Sequence, residues 1–392
     1  MDKTQHPPAS KSKLILSYIL FAIAAITAVS GVLIMTDIGQ IFGIAKKVVV
    51  GFFENSTLIF ITSAVTLLLA FIFYSRIKPL NKKWTIAILV VWGLCLISSK
   101  YLTPYFLFQT QQDNAKYISI AEAGDYMEDD ERVLVVNHNG VQRAFPPEKI
   151  WMAHIFGGDY GGDEIVFTYC VMTNLASPYI NPKGDKSMNL KVLAQTNNNL
   201  LLWDTKSDEI IQQITQQCEF SEERLDPVPV MEMTWRGFKK LFPKGEVLHN
   251  TWDTPVEMAA NLVFNAEDVW YGEDWMFKTS NFDDQRLPSK EHIIGVRDDL
   301  NDQQLAITKE YIKKNGVVNI SVGEQHLALS YFPEFETIVA FDRTVNGSPV
   351  DVTDLNIDGT TSEHGKLKQV YIYNSVLWAV WAHFYPESEV LM

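Results

Sequence analysis

Met233–Leu248 reads MTWRGFKKLFPKGEVL, and Val376–Leu391 reads VLWAVWAHFYPESEVL. Each stretch has a tryptophan (Trp235, Trp378), an aromatic three residues on (Phe238, Trp381), another four further (Phe242, Tyr385), then proline and Glu-Val-Leu. Positions i, i+3 and i+7 share one face of a helix. Pro243 and Pro386 end that helix, and Glu-Val-Leu starts an extended segment. The likeness continues upstream. Glu131–Val136 (ERVLVV) matches Glu291–Val296 (EHIIGV), and Ile165–Cys170 (IVFTYC) matches Leu327–Phe332 (LALSYF). The turn-rich runs His154–Gly162 and Gly316–Gly323 lie between. Each half reads as a strand, an excursion, a turn and a buried strand. The expectation is an α+β, mainly antiparallel globular part made of two related modules, residues 111–250 and 288–392. Residues 251–287, rich in Trp and acids, form a packed connector.

In front of these modules, residues 1–110 read as a three-helix membrane anchor. Leu14–Met35 and Thr57–Tyr74 carry no charge. About 20 apolar residues cross a hydrocarbon core of roughly 30 Å. Trp84–Ser99 is shorter, with Lys82, Lys83 and Lys100 placed to snorkel to the interfaces. A cleaved signal peptide, with Lys11 and Lys13 ahead of the apolar run and Ala28-Val29-Ser30 as the cleavage site, is the rival reading of the first span. The 22-residue run and the two later spans favour an anchor. Loop charges set the orientation. Lys3, Lys11, Lys13, Arg76, Lys78, Lys82 and Lys83 fall inside when the N-terminus is inside, against Lys46, Lys47 and Lys100 outside. Three crossings then put everything after Lys100 outside the cytoplasm; if the short third span does not cross, the globular part is cytoplasmic. The spans hold no ionisable ligand for ion or proton transport.

Composition narrows the function. Of 392 residues, 47% are hydrophobic and 47 are aromatic, which excludes disorder. The first hundred residues hold ten bases and three acids; the rest hold 23 bases and 44 acids. The expected partner is therefore a lipid bilayer. An acidic globular part repels phosphate, so nucleic acid is not an expected partner. Three cysteines are too few for a disulfide scaffold. No P-loop, G-x-G-x-x-G, H-E-x-x-H, G-x-S-x-G or C-x-x-C is present. The sequence assigns no cofactor, no redox or protein partner, and no decision between enzyme and binding protein.

Asn139-Gly140, Ala144-Phe145-Pro146, His154, Gly161-Gly162 and Thr168-Tyr169-Cys170 resemble the first-module motifs of the bacterial family DUF3179. Arg286–Val296 (RLPSKEHIIGV) and Ala340-Phe341-Asp342-Arg343 resemble those of its second module. The resemblance spans about residues 130–392 and implies a bacterial protein with no established function; with the three spans, the expected location is the bacterial cytoplasmic (inner) membrane. Some members resemble selenoproteins, with selenocysteine in the cysteine motif. This chain departs from the pattern. Thr173 stands where the second cysteine of the motif would be, and Ile155 stands where Glu follows the histidine. Asp204–Ile211 replaces a D-R-x-T-x-S-x-W run.

Cys170 is the sharpest candidate for chemistry. A thiolate is a strong nucleophile, and a nearby imidazolium favours it. His154, 16 residues earlier, is the candidate partner for thiol-based redox chemistry. Against this, Cys170 reads equally as a small buried hydrophobe, because the matching slot in the second half is Phe332. Cys218 reads as a surface thiol or as a disulfide partner of Cys170. Met152, His154, Cys170 and Met172 form a soft-ligand set of the kind that suits Cu(I). Asp354, Asn356 and Asp358, followed by Gly359, copy the opening of a calcium loop. Position twelve is Gly365 where such a loop needs glutamate, so a plain turn competes. A non-catalytic ligand- or metal-binding module and a structural or assembly protein are the alternatives to redox chemistry.

Overall fold

A computed structural model describes residues 11–36, 38–250, 254–262 and 264–392. Lys3, counted among the inside charges, and residues 251–253 and 263 of the connector lie outside the described residues. The chain divides into a helical unit up to Leu107, which also takes in Leu193–Thr196, and a second unit of Phe108–Val192 and Asn197–Met392.

In the helical unit, α1 (Lys11–Ile34) and α2 (Lys46–Ser75) are separated by a short helix, Ile38–Ile41, and a turn leads from α2 to α3 (Lys82–Tyr101). Three helices here are long and apolar enough to cross a membrane. The helices overrun the apolar runs that announce them. The α2 helix begins at Lys46, because Lys46, Lys47 and Glu54 continue its winding without adding hydropathy. At the start of α3, Asn81 accepts hydrogen bonds from the backbone of Lys83 (3.0 Å) and Trp84 (3.4 Å), satisfying free first-turn donors. Small residues bury the face of α1, namely Ser17, Ala24, Ala28 and Gly31. A methyl at Gly31 would come within 2.8 Å of Ser99 Cβ, so the glycine lets α1 and α3 touch. Ser63 of α2 donates to Ala24 O (3.1 Å) and accepts from Trp92 Nε1 (2.9 Å), one polar relay across all three helices.

The second unit is built from sheets. In the first, Arg132–His138 and Val141–Phe145 form a hairpin. Asn139 (φ 46°) and Gly140 (φ 80°) turn it, since this tight connection needs positive φ at both positions. Val230–Thr234 pairs antiparallel with the first hairpin strand, and Glu246–Leu248 pairs parallel with the second. Helix Trp235–Leu241 joins these two strands, and Tyr117–Ser119 adds a fifth strand at the edge beside Glu246–Leu248. The second sheet is assembled in the same order. His292–Asp298 and Gln303–Thr308 form the hairpin, Tyr373–Leu377 flanks it antiparallel, and Glu389–Leu391 flanks it parallel. Helix Trp378–Phe384 joins the outer strands.

Each hairpin leads through a short helix into an antiparallel meander. The first is Ile155–Tyr160, Asp163–Cys170 and Leu175–Asn181. The second is Val317–Val322, Gln325–Phe332 and Thr337–Asp342. One hydrophobic cluster draws on both halves of this unit, with Val133, Val135, Met231, Met233, Trp235 and Phe238 against Ala328, Val339 and Phe341. Ile294, Ile307, Leu329 and Ile338 centre another. In the connector, Thr254 and Glu257 close a reciprocal cap on helix Pro255–Asn261, and Trp270 on helix Ala266–Tyr271 is buried.

Candidate functional site

The Thr168-Tyr169-Cys170 motif ends a central strand, and residues 171–174 turn the chain into the next one. Cys170 is fully buried. Its Sγ lies 3.6 Å from Asn198 O, and the Thr173 hydroxyl lies 3.4 Å from Sγ. That hydroxyl also meets Asn198 O and receives Asn199 Nδ2 at 3.0 Å. Burial pushes the thiol pKa up, outweighing the downward pull of Thr173 and nearby backbone amides.

His154 is buried as well, in a left-handed conformation (φ 60°). Its Nδ1 donates to Tyr169 O at 2.8 Å, and its Nε2 has no partner. Burial holds its pKa down to about 4, so the ring is neutral. Phe108 packs edge-on against it at 4.8 Å. His154 Nδ1 is spent on the Tyr169 carbonyl, and neither the imidazole nor the Cys170 thiol takes the other as a hydrogen-bond partner.

Cys218, read from its polar surroundings as a surface thiol or a disulfide partner, is buried and free, as Cys170 is. It pairs with Ile211 in a short hairpin. Burial pushes its thiol up to about 11. Met152 and Met172 are buried. Among the described residues, no three His, Cys, Asp or Glu side chains converge on a metal-sized point. At the calcium-like loop, Asp354 accepts from Ser362 N (2.8 Å) and Oγ (2.7 Å), and Asp358 accepts from Thr360 N (3.0 Å) and Oγ1 (2.9 Å). Asn356 donates to Thr360 O at 3.2 Å. These groups close a turn on themselves.

Beside the motif turn sits a constellation that no sequence spacing announces. Glu232 is the single charge in the strand VMEMT, on the face opposite Met231 and Met233. It is almost wholly enclosed. Its Oε1 accepts from Lys309 Nζ (2.7 Å) and Ser375 Oγ (2.7 Å), and its Oε2 from Arg132 Nη1 (3.1 Å). Arg132 is its diagonal neighbour across the sheet. Despite burial, Lys309 and Arg132 hold the carboxyl far below the usual carboxylate range. The Arg132 guanidinium lies 4.2 Å above the Trp270 ring, and its Nη2 is unpartnered. A buried donor left unpaired costs about 1–3 kcal/mol.

The network reaches the motif turn through Asn174. Tyr169 donates its hydroxyl to Asn174 Oδ1 (2.9 Å), and Asn174 Nδ2 donates to Ser375 O (2.7 Å). Asn174 (φ 55°) and Ser375 (φ 61°) both hold positive φ, which non-glycine residues keep only where surroundings enforce it. His292 stacks on Tyr271 at 5.0 Å with the rings parallel. Burial, with Lys309 close by, holds its pKa down to about 4. The charged end of the network opens on a cavity of about 250 Å³ between the two halves of the unit, lined by Arg132, Glu232, Lys309, Lys313, Tyr331 and Asn374 among others.

The family model described as "Protein of unknown function (DUF3179)" matches residues 111–388. The chain belongs to the DUF3179 family. The DUF3179 match starts beyond the three long helices and takes in the cysteine motif, the Glu232 network and the cavity. No curated protein and no solved structure matches the chain.

Proposed function

We propose that this DUF3179 protein is a membrane-anchored binding protein whose globular part, two related modules outside the cytoplasm, holds a small ligand in the cleft between them. The observation that carries the reading is the 250 Å³ cavity, which is walled by strands of both halves and floored by a buried acid and its two bases. Binding sites are concave and hold a few convergent polar groups, often at the junction of two modules.

Two supports stand behind the modular reading. Four strands are ordered alike in the two sheets, and both tryptophan helices make matching backbone hydrogen bonds at their ends. Trp235 N donates to Glu131 O (2.8 Å) and Trp378 N to Glu291 O (2.9 Å). Phe242 N donates to Phe238 O and Tyr385 N to Trp381 O, each at 2.8 Å. The loop charges support the N-terminus-inside orientation.

The test is a thermal-shift screen of small metabolites on the detergent-solubilised full chain beside Lys313→Trp, which sets an indole in the cavity mouth from an exposed helix position. Stabilisation of the natural chain and not of the variant is the expected result. A screen with no ligand for either removes the binding reading.

Thiol chemistry at Cys170 is the second reading, favoured by the Thr173 hydroxyl 3.4 Å from Sγ, in the slot where the motif places a second thiol. Full burial and a raised thiol pKa weigh against it. A thiol probe should leave Cys170 unlabelled in the folded chain near neutral pH. Rapid labelling with an apparent pKa below the free value of about 8.5 would restore the redox reading.

A further inference from the structure

We infer that the ligand of this cavity is a small oxyanion, a carboxylate or a phosphate, an inference that rests on the binding reading and names its ligand class. Three observations carry it. The first is unused donor capacity. Arg132 Nη2 and Asn374 Nδ2 are buried with no hydrogen-bond partner, and both residues line the cavity. Both are donors, so any hydrogen-bond partner they gained would be an acceptor.

The second observation is charge. Lys309 and Lys313, four residues apart on helix Lys309–Asn315, occupy one helical face at the cavity. With Arg132 they supply three positive charges. Glu232 is already engaged by Arg132 and Lys309, and Glu336, the other acid at the wall, is exposed. The balance at the cavity is positive, although the globular part as a whole is strongly acidic. A basic pocket in an acidic surface selects its ligand by local contacts rather than by long-range attraction, because charges beyond about 8 Å are screened at physiological salt.

The third is rigidity. Glu232 pins the Lys309 ammonium and the Arg132 Nη1, so two of the cationic groups are fixed before any ligand arrives. The Lys313 ammonium rests over the Tyr331 ring at 5.0 Å, close to the cavity and not paired with a carboxylate there. A guanidinium edge, an amide and an ammonium together match the geometry of carboxylate or phosphate oxygens.

The experiment uses the full chain in detergent, with inorganic phosphate and succinate as probes, and choline and glycerol as cationic and neutral controls. Thermal unfolding is followed by intrinsic tryptophan fluorescence. Phosphate or succinate should raise the midpoint saturably. Asn374→Leu removes the orphaned donor at similar volume. It should leave the ligand-free midpoint unchanged or higher while weakening oxyanion binding at least tenfold. Lys313→Gln, at an exposed helix position, should weaken it by a similar factor. Three results overturn the inference. One is an oxyanion effect that both variants leave intact. Another is stabilisation by choline or glycerol alone, lost in Lys313→Trp; that outcome keeps the binding reading and rejects the ligand class. The last is no stabilisation by any probe together with an empty metabolite screen, which rejects both.

Discussion

At the scale of the residue, the unit is organised around side chains held away from their ordinary protonation. His154 and His292 titrate near 4 because burial disfavours the imidazolium. An unfolded imidazole takes up its proton near 6.5. Between those values the unfolded chain binds protons that the folded chain refuses. Their contribution is therefore complete above pH 6.5 and is lost as pH falls toward 4, by about 1.4 kcal/mol per pH unit for each histidine. His383, also shifted down, adds a slope of the same sign. Unfolding midpoints should hold from pH 7.5 to about 6.5 and fall from there to pH 5, and His292→Asn should flatten that fall. Glu232→Gln leaves Arg132 and Lys309 enclosed without their counter-charge, and should cost about 3–5 kcal/mol, read as a lowered unfolding midpoint.

Among the elements, the tryptophan helices tie each sheet together. Trp235 and Trp378 are buried at the first position of their helices. Trp235→Ala or Trp378→Ala should each destabilise by about 3–5 kcal/mol, measured by thermal or chemical unfolding. Elements such as these were readable from the chain, because a run of apolar residues or a repeated aromatic spacing is a local signal. The three long helices announced themselves by hydropathy, and the α+β class by short apolar strands between turns. The Glu232 network was not readable. Its members come from residues 132, 174, 232, 292, 309 and 375, and each is one unremarkable polar residue in its own strand or turn. Only the sheet pairings bring them together. The partial signal was Glu232 itself, a lone charge in an otherwise apolar alternation. Cys170 was legible as a motif residue, but its enclosure by Thr173, Asn198 and Asn199 depends on a loop about 25 residues away.

For the whole molecule, the orientation proposal makes a direct statement. A reporter active only in the cytoplasm, joined after Met392, should be silent, and one active only outside should report. The reverse pattern would mean that α3 does not cross and would move the globular part to the cytoplasm.

The strand Glu389–Leu391 lies beside Gln303–Thr308, with Leu391 opposite Ile307. The first sheet receives its corresponding strand at Glu246–Leu248, some 140 residues earlier in the chain. The two sheets therefore mature at different moments in the life of the chain. The first can close while the second half is still being translated, whereas the second waits for Glu389–Leu391 to leave the ribosome. Deleting Glu389–Leu391 would remove the seal on a hairpin that also carries His292 and abuts Lys309.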